Sequence, residues 1–172
     1  MRNFLSQRDF SASPIQSMIL QGEKSCGKTH LLKFFGEKFN LNFVEQSDEM
    51  PTKILANFQE NDFVIFEDLQ LVKNQEWLFH LINSAREAKL FLILTSDGTE
   101  KFSLKDLNSR IKNIAVCRIE NLSEKSLEEL VLNRLSRRQI RLSHKAIKAI
   151  TGAAGLNYSK IDQAIDNYLS NP

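Results

Sequence analysis

Eight consecutive residues, Gly22-Glu23-Lys24-Ser25-Cys26-Gly27-Lys28-Thr29, satisfy the pattern GxxxxGK[ST] in full. The two glycines let the backbone turn tightly, so that successive N–H groups converge on an anion. The chemistry this spacing serves is the binding of a polyphosphate. Lys28 would reach the β- and γ-phosphates, and the Thr29 hydroxyl would ligate Mg²⁺. With His30 directly after it, the run forms the candidate nucleotide-binding loop. Lys24 adds a second cation that either approaches phosphate or stays solvated. Cys26, beside a lysine and a helix N-terminus, is either an acidified thiol or a small neutral filler.

A second group of reactive side chains lies further along. Phe63-Val64-Ile65-Phe66-Glu67-Asp68 is an apolar run ending in two carboxylates. A buried strand of this kind delivers acids to the sheet edge where a phosphate-bound metal sits. Glu67 would hold Mg²⁺ or its water, and the shorter Asp68 would hold the metal or orient an attacking water. The plainer alternative is two acids opening a turn before Leu69. The common order is Asp then Glu, and here it is reversed, so nucleotide binding is expected with weak hydrolysis at most. Thr95-Ser96-Asp97 closes another apolar run, where Asp97 either senses the γ-phosphate or makes a turn with Gly98. Arg110, in Asp106-Leu107-Asn108-Ser109-Arg110, reads from composition alone as a surface arginine. His30, His80 and His144 are scattered and make no metal-ligand set. His80, on a helix near Trp77, reads as structural.

These groups need a scaffold. Short apolar runs at Met18–Leu20, Leu41–Val44, Phe63–Phe66, Leu90–Leu94 and Ala115–Cys117 read as strands. The third and fourth are apolar on both faces, as interior strands of a parallel sheet covered by helices must be. Between them Trp77, Leu78, Leu81, Ile82 and Ala85 share one helical face. The segment after the phosphate loop, Thr29 to Lys38, reads as a helix. Alternation of strand and helix implies an α/β fold with right-handed crossovers. After Glu120 the pattern is purely helical. Ser126 with Glu129 spells a capping box, and helices are marked by Leu127 to Leu135, by Ala146 to Ile150, and by Ile161 to Tyr168 after a turn at Gly152 to Gly155. The expected division is a nucleotide-binding core, 1–120, with a short N-terminal segment 1–16, and a helical subdomain, 121–172.

Composition sets the outer limits. The chain has 172 residues, 42% hydrophobic and 26% charged, which suits a folded globular protein and excludes disorder or fibrous repeats. The net charge of +2, from 23 basic and 21 acidic residues, points to no polyanion partner. The basic cluster Arg134, Arg137, Arg138, Arg141, Lys145 and Lys148 could contact phosphates, or it is a solvated helix face. Two cysteines make no disulfide scaffold. No run approaches the roughly 20 apolar residues of a membrane span. A cytoplasmic protein without membrane contact is expected.

Five segments in order make the pattern more selective. They are Gln21–Leu32 (QGEKSCGKTHLL), Asp62–Gln70 (DFVIFEDLQ), Trp77–Asn83 (WLFHLIN), Leu94–Asp97 (LTSD) and Leu104–Arg110 (LKDLNSR). In this order the chain resembles the DnaA-type AAA+ ATPases over about Met18 to Leu169, and within them the short Hda branch, the DnaA regulatory inactivators found in alphaproteobacteria. The resemblance implies an AAA+ P-loop fold: a five-stranded parallel sheet sandwiched by helices, then a small α-helical lid from about Ser123. It implies ATP or ADP as the nucleotide, bound between core and lid. It implies that Arg110 is an arginine finger acting in trans, on a nucleotide held by a neighbouring subunit. It also implies DnaA and the DNA polymerase sliding clamp as partners, and possible homo-oligomers.

Three departures from that pattern stand out. The family's lid arginine near the last helix has no counterpart in Leu156-Asn157-Tyr158-Ser159-Lys160, where Lys160 is the available cation. Met1 to Gln16 holds no recognisable clamp-binding peptide, and Asp9-Phe10-Ser11-Ala12-Ser13-Pro14 is at most a contracted adenine-side segment. Only about twenty residues separate Phe43 from Phe63, too few for the helical insertion with which DnaA holds single-stranded DNA. Strong sequence-specific DNA binding is therefore not expected. The leading reading is stimulation of hydrolysis of DnaA-bound ATP, curbing re-initiation of replication. The alternatives are a nucleotide-gated adaptor or loader for DnaA-family or helicase partners, and, with no acceptor motif in its favour, a small-molecule kinase.

Overall fold

The computed structural model describes residues 16–36, 38–120, 123–155 and 158–170. The expectations for Asp9–Pro14, for the break at Asn121–Leu122 and for Leu156–Asn157 lie outside them. Contacts divide the described residues into two units, one within 16–21 and 30–118, the other within 22–29 and 119–170.

The first unit is a five-stranded parallel sheet with flanking helices. Its elements are β1 (Ser17–Gln21), α1 (Lys28–Gly36) from His30 on, β2 (Leu41–Val44), α2 (Pro51–Leu55), β3 (Phe63–Phe66), α3 (Gln75–Glu87), β4 (Phe91–Ser96), α4 (Lys105–Lys112) and β5 (Ala115–Arg118). A 3-10 turn, Leu69–Leu71, follows β3. The strand order is β2-β3-β4-β1-β5, every pair parallel, so β3 and β4 are interior as their apolar runs require. Val64 and Phe66 pair with Leu92 and Leu94 on one face and join a core with Trp77, Leu78 and Leu81. On the opposite face Phe63 stacks on Phe91 at 5.2 Å, with Phe39 at 5.4 Å from Phe63. Consecutive strand residues point to opposite faces, so burying both faces makes β3 and the first four residues of β4 apolar throughout.

Helix α3 begins where the Asn74 side chain accepts from the Trp77 N–H at 3.0 Å. Its stripe Trp77, Leu78, Leu81, Ile82 and Ala85 is buried, and the Trp77 indole N–H donates to the Glu49 carbonyl at 2.8 Å. Burying such a row against the sheet contributes about 1.5–3 kcal/mol per large side chain. His80 lies on the exposed side of α3, its ring edge-on to Phe79.

The second unit holds α5 (Glu124–Arg137), α6 (His144–Ala154), a 3-10 turn (Tyr158–Lys160) and α7 (Ile161–Ser170). Leu127, Val131, Leu135, Ile150 and Ile161 form its core. The expected capping box does not start α5. Ser123 caps it instead, accepting from the Ser126 N–H at 3.1 Å, because the helix begins three residues earlier. The turn expected over Gly152 to Gly155 narrows to Gly155 (φ +58), with Gly152 inside α6. The basic cluster is also not one solvated face. Arg134 bonds Asp162 at 2.8 Å and the Tyr158 hydroxyl at 2.9 Å, and Arg138 bonds Asp162 and Asp166, tying α5 to α7. The Asp166 carboxylate, by its hydrogen bond, holds the Arg138 guanidinium more firmly protonated than an ordinary arginine. Arg137, Arg141, Lys145 and Lys148 are exposed.

Candidate functional site

The phosphate-type loop begins where β1 ends. Gln21, the last residue of β1, pairs with Ser96, and the chain turns directly into Gly22. A Cβ on Gly22 would stand 2.6 Å from Cys26 Sγ and 3.0 Å from the Ile119 carbonyl oxygen, so only glycine fits. Gly27 is required for another reason, its φ of +102°, and Ser25 also has positive φ at 66°. Within the loop the Cys26 N–H donates to the Glu23 carbonyl at 3.2 Å. Alternating handedness of this kind turns backbone N–H groups to one side, the arrangement that holds anions. Cys26 fills the space that Gly22 leaves, which favours the filler reading. Glu23 and Lys24 are exposed, so Lys24 is a solvated cation here.

Lys28 is buried, at 8% exposure, and its ammonium donates to the carbonyls of Gly22 (2.6 Å) and Glu23 (3.1 Å). A cation is thus held over its own loop at the start of α1. Thr29 and His30 follow on the exposed first turn. Paired turns, a buried ammonium and a helix N-terminus together fit a phosphate chain. Among the described residues no three His, Cys, Asp or Glu side chains gather into a metal cage. Mg²⁺ in nucleotide sites takes only one or two carboxylates, completing its shell with phosphate and water. The donors present suit that arrangement.

The acids occupy the end of β3. Glu67 is half-buried. Asp68 is exposed, has left-handed backbone angles (φ 59°, ψ 59°), and opens the turn Leu69–Leu71. The two acids thus directly follow β3, and Asp68 opens a turn before Leu69. The Asp68 N–H donates to Thr95 Oγ1 at 2.9 Å, and its carboxylate accepts from Gln70 Nε2 at 2.9 Å. Gln70 Oε1 in turn accepts from the Asp97 N–H at 3.4 Å. Glu67 and Asp68 line an open groove of about 460 Å³ with Phe43, Phe66 and Leu71.

Strand β4 runs two residues beyond the expected Leu94. Thr95 and Ser96 are its last members and are buried, at 1% and 0% exposure, because each hydroxyl has a partner. Thr95 accepts from Asp68, whereas Ser96 donates to Glu100 and accepts from the Gly98 N–H. Asp97 Oδ1 accepts from the Thr99 N–H and hydroxyl, so the turn reading is realised beside the acid row. At Gly98 (φ +86°) a Cβ would meet Gln21 Nε2 at 2.8 Å, and Gln21 Oε1 accepts from Arg118 Nε.

Arg110 is exposed in the last turn of α4. The entry to that helix is pinned by Gln75, whose Oε1 accepts from the Ser103 N–H and hydroxyl and from the Leu104 N–H. Leu107, fully buried, anchors the underside. Lys160 is exposed in the helical unit and lines a cavity with Gln163, Asn167 and Tyr168. The residues missed by sequence reasoning are the glutamines. Gln46, Gln70 and Gln75 each bond loop backbone or site side chains, Gln21 accepts from Arg118 Nε, and glutamine in a sequence carries no signal for any of this.

No family model matches this chain. It is 24% identical over 160 residues to an uncharacterized protein of Haemophilus influenzae, spanning 84% of this chain and 69% of that one. Among solved structures, domain III of the Thermotoga maritima replication initiation protein DnaA matches with a TM-score of 0.70 at 18% identity, over 91% of this chain and 76% of that one. AMPPCP-bound DnaA from Aquifex aeolicus matches at 0.65 and 17%, over 90% and 56%. A RuvB variant from Thermotoga maritima matches at 0.65 and 19%, over 90% and 53%. This is the AAA+ fold. The chain spans little more than half of the last two proteins. No helix among its described residues is long and apolar enough to cross a membrane.

Proposed function

We propose that this AAA+ chain binds an adenine nucleotide with Mg²⁺ and regulates DnaA, as the resemblance to the Hda branch implies. It would present Arg110 to ATP held by DnaA and speed its hydrolysis. The observation that carries the reading is the presentation of Arg110, an exposed guanidinium on a helix fixed at its entry by Gln75 and underneath by Leu107. A rigidly held, solvent-facing arginine suits action in trans, where such a cation is worth roughly 10³–10⁵ in rate. The chain's own loop, Gly22 to Thr29, would hold the nucleotide phosphates, with Lys28 donating to them once it leaves its loop carbonyls. Thr29 and Glu67 would hold Mg²⁺, which draws charge from the phosphate oxygens. Asp68 would join them in holding Mg²⁺ and would orient water, and Asp97 and Lys160 would respond to the γ-phosphate. The sliding clamp, self-association and a cytoplasmic location belong to the same proposal.

The test is turnover of DnaA-bound ATP with this chain and the clamp added. Stimulation is expected from the wild type and not from Arg110→Ala, and unchanged turnover with the wild type would refute the reading. Labelled ATP and ADP should bind the wild type, GTP should not, and Lys28→Ala should bind neither. A second reading, a nucleotide-gated adaptor without hydrolytic stimulation, is favoured by the engagement of Asp68 with Gln70 and the reversed acid order. It predicts that Arg110→Ala keeps full function.

A further inference from the structure

Gln70 hydrogen-bonds to the acid that follows β3 and to the residue that follows β4. Its Nε2 donates to Asp68 Oδ1 at 2.9 Å, while its Oε1 accepts from the Asp97 N–H at 3.4 Å. A carboxylate only accepts and a backbone N–H only donates, so bridging them takes a group that does both at fixed separation. A primary amide is such a group. Flipping it would set oxygen against carboxylate and NH₂ against N–H, so the orientation is determined by its partners. Asparagine has the same amide on a stem one methylene shorter. Glutamate of equal length would set a second negative charge against Asp68.

The backbone of Asp68 is tied to the same strand. Its N–H donates to Thr95 Oγ1, on a side chain 1% exposed, and its angles are left-handed. Backbone and side chain of Asp68 are thus both referred to the end of β4, one through Thr95 and one through Gln70. A left-handed non-glycine residue persists where its surroundings over-determine it. Movement at Asp97 therefore reaches the Asp68 carboxylate through one side chain.

We propose that Gln70 is a positioning residue, an amide bridge that fixes the Asp68 carboxylate and couples it to Asp97 at the end of β4. The proposal rests on the reading of Asp68 as an acid serving a Mg²⁺-bound nucleotide. Side-chain partners one step behind a metal site change metal affinity or activity by about 10–100-fold when removed. Gln70→Leu is therefore expected to raise the Mg²⁺ concentration at half-effect on fluorescent ATP binding at least about tenfold. Metal-free nucleotide affinity and the melting temperature should stay as in the wild type. Gln70→Met, as long as glutamine and without hydrogen-bonding groups, should repeat the result should Gln70→Leu fold poorly.

A nucleotide-free readout separates the bridge from the nucleotide reading. In the wild type, Asp68→Ala should shift the Asp97 amide resonance, and in the Gln70→Leu background the same change should leave it in place. Equal shifts in both backgrounds, or an unmoved Mg²⁺ midpoint in a protein that binds nucleotide, would overturn the proposal. Nucleotide binding that survives Lys28→Ala would instead overturn the functional reading. The role given to Gln70 would fall with it, leaving a structural bridge.

Discussion

The two loop glycines are indispensable for different physical reasons, and substitution should tell them apart. At Gly22 an alanine Cβ would lie 2.6 Å from Cys26 Sγ, 3.0 Å from the Ile119 carbonyl oxygen and 3.3 Å from Ile119 Cβ. Carbon contacts are comfortable near 3.5–4.0 Å, so the sulfur must retreat by about 1 Å and the carbonyl by about half that. The sulfur can rotate away, whereas the carbonyl is backbone. Overpacking of this size costs about 1–3 kcal/mol. At Gly27 a Cβ would meet nothing within 4 Å, yet φ is +102°. Alanine there costs about 1–3 kcal/mol through backbone strain alone.

Adding Cys26→Ala therefore discriminates. It removes the closest of the Gly22 clashes and none of the Gly27 strain. Gly22→Ala should be partly rescued, with a coupling of about 1 kcal/mol, and Gly27→Ala should combine additively within about 0.5 kcal/mol. Hydrogen exchange at the amides of Val131 and Ile150, core residues of the same unit, reads the stability locally. Urea unfolding at constant m gives the global figure. Additivity of Gly22→Ala with Cys26→Ala, or a Gly27→Ala variant as stable as the wild type, would refute the reasoning.

Three further outcomes follow from the packing. Leu78→Ala, at a fully buried position of α3, should lose about 2–5 kcal/mol in urea unfolding. Gln75→Leu removes the acceptor for three donors at Ser103 and Leu104, at about 1–3 kcal/mol, and should speed hydrogen exchange at Leu107. Arg134→Leu should weaken the helical unit by about 1 kcal/mol, since its guanidinium is half-buried between Asp162 and the Tyr158 hydroxyl. The more exposed Arg138 pairs should contribute less, and that contribution should vanish in about 1 M NaCl.

The elements that hydrophobic pattern alone determines were legible in the sequence. β3 and the first four residues of β4 stand out because burial on both faces makes them continuously apolar, and α3 stands out because a helix of 13 residues repeats its stripe several times. α2 was missed because its five residues complete barely one turn, too few for a period to show. The end of β4 was missed because Thr95 and Ser96 are polar. They are buried because each hydroxyl has a partner, Thr95 from distant Asp68 and Ser96 from Gly98 and Glu100 in the loop that follows. The cap of α5 was misplaced by three residues because Ser123 and Ser126 offer the same hydroxyl, and only backbone angles choose between them. The phosphate-type loop was legible for the opposite reason, since its residue types answer local backbone geometry. The glutamine bridges were not, since nothing local to Gln70 or Gln75 reveals their distant partners.

Asp68 shows how two rival readings of one residue become a single testable arrangement. Its left-handed backbone disfavours most side chains by about 1–2 kcal/mol, but less so Asp and Asn. Asn keeps the oxygen that accepts from Gln70 Nε2 and loses only the charge. Asp68→Asn should therefore fold within about 0.5 kcal/mol of the wild type, the usual range for surface changes that break no local feature. Asp68→Ala loses the Gln70 bond and pays the full backbone strain, and should cost about 1–2 kcal/mol. If the carboxylate charge also serves Mg²⁺, both variants lose the metal effect on nucleotide binding, although only one loses stability. Equal stability of the two variants would show that neither the backbone angle nor the Gln70 bond holds Asp68 in place. A metal effect that survives in Asp68→Asn would leave the metal to Glu67 and Thr29, and would reduce Asp68 to the residue that opens the turn.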